Sequence, residues 1–157
     1  MRDLIALRGS RTTLRFARAT FDQNRFVTLS RVSIAGGLHG ESEDLPLFKT
    51  TYAVGAGEVL LTVVIGEKQL GTSLARMGDK ALAKGAIKKL KVGKGPGLAG
   101  SKLTMKSVVT DSNDMTNRTS ITIMLEGGTA PAKHTLAIEV DEQGDSAIYR
   151  SEVEFVP

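Results

Sequence analysis

Gly95-Pro-Gly97-Leu-Ala-Gly100 carries the G-x-G-x-x-G spacing with which a glycine-rich turn brings backbone amides against a pyrophosphate. That chemistry needs a strand before the turn and a helix after it, with the helix N-terminus on the phosphate. Here the next residues, 101–110, alternate polar and apolar as a strand does. Gly100-Ser101-Lys102 also inverts the G-K-[ST] order of a P-loop. The stretch reads as a glycine-rich connection, and no cofactor is expected.

Asp111-Ser-Asn113-Asp-Met115 has the oxygen-rich look of a calcium loop, but Met115 and Thr116 stand where an EF-hand needs an oxygen ligand and a glycine. An Asx-rich turn is the plainer reading. His39 lies near Glu41, Glu43 and Asp44 in a polar loop, which is thin support for a metal site. His134 falls on the apolar phase of its segment and reads as a partly buried residue. No serine sits in a G-x-S-x-G context, and Glu139/Asp141 and Glu152/Glu154 share the solvent phase of their segments. With no cysteine in the chain, thiol catalysis, disulfides and Cys-ligated zinc are excluded. Asn117-Arg-Thr119 is a glycosylation sequon that matters only in a secreted chain. No catalytic or metal-binding residue is assigned.

The one concentrated chemical feature is basic. Lys80, Lys84, Lys88, Lys89, Lys91 and Lys94 fall within fifteen residues, with Lys102 just beyond, and Asp79 is the only acid between 76 and 106. Such a run can grip phosphates through salt-sensitive contacts. It holds no aromatic residue for stacking on bases.

The elements that must carry these groups are strands. From Lys102 to Val156, four segments alternate with period two: Leu103, Met105 and Val109; Thr119, Ile121, Ile123 and Leu125; His134, Leu136, Ile138 and Val140; Ala147, Tyr149, Val153 and Phe155. Turn formers separate them at Asp111–Asp114, Gly127-Gly128 and Gln143-Gly144-Asp145, which predicts a meander or part of a Greek key. Upstream, Phe48–Val54 and Gln69–Met77 read as strands, with Gly66-Glu67-Lys68 as a hairpin-like turn. The apolar run at Glu58–Ile65 reads as the central strand. Residues Thr12–Phe21 and Arg25–Ile34 suggest two more strands with poor alternation, or an arginine-studded arm. Over 80–91, Asp79 as a cap and Leu82, Ala86 and Leu90 at four-residue spacing favour a short helix. Gly85 would cost that helix about 1 kcal/mol, and Ile87, Leu90 and Val92 also suit an irregular strand.

Seventeen glycines concentrated at turns, against an ordinary share of about 7%, point the same way as the alternation. The expected fold is therefore mainly β: an antiparallel two-sheet β-sandwich, with one short helix near 80–91. Residues 1–157 are expected to form a single domain, with 1–34 as an arm-like N-terminal segment. Charge is polarised along the chain. Residues 1–31 hold seven arginines, and 111–157 hold nine acids against three bases. No secretory leader is visible and no stretch is apolar enough for a membrane span; a cytoplasmic or virion-associated protein is expected. The functional expectation is a non-catalytic binding or self-assembly subunit, such as a coat or secretion-apparatus component, whose partner is another protein or copies of itself. The alternative is a polyanion or nucleic-acid-binding module using the lysine-rich segment 80–102.

Overall fold

A computed structural model describes residues 27–29, 46–66 and 68–157. They form ten strands: β1 (Val27–Leu29), β2 (Leu47–Ala53), β3 (Glu58–Ile65), β4 (Leu70–Met77), β5 (Lys80–Gly85), β6 (Ile87–Lys94), β7 (Lys102–Thr110), β8 (Arg118–Glu126), β9 (Ala132–Glu139) and β10 (Ser146–Val156). One four-residue helix, α1 (Gly95–Leu98), stands between β6 and β7. The strands make two five-stranded sheets, one ordered β1-β9-β8-β3-β6 and the other β2-β10-β7-β4-β5. This is the expected β-sandwich. No helix among the described residues is long and apolar enough to cross a membrane.

Period-two patterning builds the core. Val59, Leu61, Val63, Ile121, Ile123, Leu125, Leu136 and Ile138 face inward from one sheet; Leu103, Met105, Val109, Tyr149, Val153 and Phe155 face them from the other. Three of the buried inward positions of the second sheet are serines, Ser73, Ser107 and Ser151, which sit in phase with their apolar neighbours. The phases expected for all four C-terminal strands are the ones observed. Their connection is not a meander. Only β8 and β9 form a hairpin within one sheet, whereas the chain crosses between sheets after β7 and again after β9, so that β10 pairs with β7.

Several local expectations are corrected. The segment 80–91 is not helical: β5 and β6 are both strands, parted only by Ala86, and Gly85 takes φ +106, which a right-handed helix cannot hold. β3 and β4 do not form the expected hairpin, because they lie in different sheets. β3 is an interior strand, but β8 holds the middle of the sheet; Val64 is 44% exposed, so the apolar run is not buried on both faces. The sheets are not wholly antiparallel either, since β1 lies parallel to β9 and β2 parallel to β10. Of the N-terminal expectations, only Val27–Leu29 is described, as a strand; the rest of 1–34 and the His39 loop lie outside the described residues.

Candidate functional site

β5 and β6 are the outermost strands of their respective sheets, and they meet across the Gly85-Ala86 link. Among the described residues, one flank of the sandwich is therefore formed by the lysine-rich segment. A regular strand at Ile87-Lys-Lys-Leu-Lys-Val-Gly-Lys94 would turn at least one lysine inward. Two one-residue irregularities prevent it. Val63 pairs with Ile87 and Leu61 with Leu90, so Lys88 and Lys89 together oppose Thr62. Leu60 pairs with Lys91 and Val59 with Gly93, which leaves Val92 as the second extra residue. Bulges of this kind re-aim side chains. Ile87 is thereby buried and Leu90 half-buried, while Lys88, Lys89, Lys91 and Lys94 are all exposed. Lys89 takes the left-handed conformation at φ +46, uncommon for a residue with a side chain, and its N–H donates to Thr62 Oγ1 at 3.0 Å.

Lys80 and Lys84 of β5 are exposed too. Lys91 Nζ lies 3.2 Å from Glu58 Oε2, with the two side chains 73% and 41% exposed, a pairing that contributes little. Among the described residues the other five lysines make no ion pair. A bland role accounts for part of this: lysines on sheet edges discourage strand-to-strand aggregation.

Carboxylates gather elsewhere. The 111–117 loop and the turn after β9 are tied by Asp111 N–H to Asp145 O (2.8 Å), Gly144 N–H to Asp111 O (2.8 Å) and Asn117 Nδ2 to Asp141 O (3.1 Å). This end of the sandwich brings together Asp111, Asp114, Asp141, Glu142 and Asp145, with all but Asp111 exposed. The calcium reading finds no support there. Asp111 Oδ1 accepts the Asn113 N–H and Asn113 Oδ1 accepts the Met115 N–H, as in Asx turns, and among the described residues no three acidic or histidine side chains converge on a metal position.

The dinucleotide-like glycines are structural. Gly95 donates to Gly57 O (2.9 Å), Gly100 to Phe155 O (2.8 Å) and Ser101 to Leu98 O (2.9 Å), so these amides are committed within the protein. A Cβ on Gly95 would overlap the Gly55 carbonyl, Leu98 is buried, and a strand follows instead of a helix. His134 packs against Phe48 with ring centroids 5.2 Å apart; burial pushes its imidazole below the usual range, and among the described residues its Nε2 has no hydrogen-bond partner.

A second basic group was not visible as a unit in the sequence. On the outer face of the β2-β10-β7-β4-β5 sheet, Leu47, Arg150, Lys106, Leu74 and Lys84 stand side by side on successive strands, with Arg76 in the neighbouring row. Each lies on the solvent phase of its own strand, but only the strand order brings them together. Compared with known protein families, curated proteins and solved structures, the chain matches none.

Proposed function

We propose that the chain is a non-catalytic β-sandwich subunit that works by protein binding and self-assembly, the basic flank of one copy meeting the acidic end of another. The observation that carries this reading is the spatial segregation of charge. Five lysines without an ion pair among the described residues line the β5–β6 flank, while five carboxylates gather at the 111–117 and 141–145 loops. Oppositely charged patches on separate surfaces of one molecule favour head-to-tail contact and disfavour like-to-like contact.

Size exclusion with light scattering across protein concentration and salt tests it. Oligomers free of nucleic acid are expected. Lys84→Glu with Lys88→Glu is expected to abolish them, and so is Asp141→Lys with Glu142→Lys in a separate chain; mixing the two variants is expected to restore association. A monomer under every condition, or variants that assemble unchanged, overturns the reading.

A second reading rests on the flank alone: polyanion or nucleic-acid binding. It is supported by the two bulges that turn all four β6 lysines outward, which sheet-edge protection by itself does not require. Bound nucleic acid would show directly in the ultraviolet spectrum, because the chain has no tryptophan.

A further inference from the structure

The outer face of the β2-β10-β7-β4-β5 sheet contains a shallow hollow of about 260 Å³. Its basic lining is Arg76, Lys106 and Arg150, its apolar rims are Leu47 and Leu74, and among the described residues Glu152 is its only carboxylate. Arg150 and Lys106 are directly opposite each other on β10 and β7. Adjacent strands lie about 4.8 Å apart, and like charges placed directly across a pair of strands destabilise it. Arg76 stands diagonal to Lys106, because Arg76 pairs with Thr104 two residues along β7. Diagonal neighbours are about 7–8 Å apart, within reach of long side chains.

Among the described residues nothing nearby neutralises the three cations. Glu152 Oε1 is engaged by Lys102 Nζ at 3.1 Å, and among the described residues Arg76, Lys106 and Arg150 have no ion pair. An anion seated between them would relieve the repulsion and accept forked hydrogen bonds from two guanidinium groups.

We propose that this hollow is a binding site for a small phosphate-class anion, with Arg76, Arg150 and Lys106 holding the anionic head and Leu47 or Leu74 receiving an apolar substituent. Three converging cations favour a doubly charged oxyanion over a monocarboxylate. The site is separate from the lysine flank, and only Lys84 lies near both.

Two-dimensional amide NMR with inorganic phosphate, phenyl phosphate and acetate, at matched ionic strength, tests the site. Saturable shifts are expected at Leu74, Arg76, Lys106 and Arg150, with phenyl phosphate the tightest probe and acetate the weakest. Lys106→Gln and Arg150→Gln should each weaken phosphate binding about tenfold, the loss of one charge-assisted hydrogen bond. Lys88→Gln should leave it unchanged. In phosphate-free, low-salt buffer, Lys106→Gln should also raise the melting temperature, an effect that a fully solvated lysine would not produce. Unsaturable shifts, shifts centred on β6, acetate binding as tight as phosphate, or variants that bind like wild type would each overturn the proposal.

Discussion

Neutralising Lys88 and Lys89 together is the sharpest probe of the flank. Lys88→Gln removes one charge, and Lys89→Asn removes the other with a residue that tolerates the left-handed backbone at φ +46. Five flank lysines have no acidic partner among the described residues, and Lys91 is already shared with Glu58. A strand of eight residues spans about 26 Å, and duplex DNA presents a charge about every 1.7 Å, so lysines and not phosphates limit the contacts. Five contacts at about 0.9 counterion each give log K against log[salt] a slope of about −4.5, a loss of about 500-fold between 50 and 200 mM salt. The double variant keeps three contacts, so its slope should fall to about −2.7 and its loss to about 40-fold. Fluorescence anisotropy with a labelled 20-base-pair duplex across that salt range reads both. A wild-type slope shallower than about −1, or a variant slope equal to wild type, would refute flank binding. Stability is expected to hold within about 0.5 kcal/mol, since both side chains are exposed.

Two further predictions concern the core. Tyr149, 2% exposed, reaches from β10 across the sandwich: Thr119 Oγ1 donates to Ile138 O at 3.0 Å, so Tyr149 Oη must donate to Thr119 Oγ1 at 2.7 Å while accepting the Ile138 N–H at 3.1 Å. Tyr149→Phe strands that buried N–H and should cost about 2 kcal/mol, or about 6 °C in Tm; additivity with Thr119→Val in a double-mutant cycle would show that no such network exists. His134 supplies a pH dependence. Its folded pKa is lowered by burial, so between that value and the unfolded value of about 6.5 the unfolded chain binds more protons. Its contribution is therefore complete above about pH 6.5 and is lost as pH falls below it. Urea unfolding from pH 5 to 8 should show this fall in wild type and not in His134→Leu; a parallel fall in both would assign it to other groups.

The sandwich was legible because the inward residues of β7 to β10 keep a strict period of two, with Tyr149 and Phe155 in phase with Val153. What hid β5 and β6 was irregularity at the sheet edge. Each one-residue bulge resets the phase of the strand, so Ile87 and Leu90 lie three apart, as they would on a helix face, although both face the core. Leu82 disguised β5 in the same way, as the residue left over where Ala75 pairs with Ala83 and Arg76 with Ala81. In both strands, side-chain spacing suggested the wrong element because the residue that breaks alternation is itself the structural device.

The two basic surfaces differ in legibility for a related reason. Lys80 to Lys94 could be read as a group because they are neighbours in sequence, and strand geometry only decides that they face outward together. Arg76, Lys106 and Arg150 come from β4, β7 and β10, which are well separated along the chain. Their phases were readable one strand at a time, but their meeting depends on β10 returning from the opposite sheet to pair with β7, and on β4 flanking β7 from the other side. Local periodicity carries no information about that pairing, which is decided by the crossings between sheets. A cluster of like charges assembled from three strands distant in sequence is also less easily explained as edge protection than the flank is, since β4, β7 and β10 are interior strands with both neighbours already in place. The feature hardest to see in the sequence is thus the one whose charge has the fewest structural explanations.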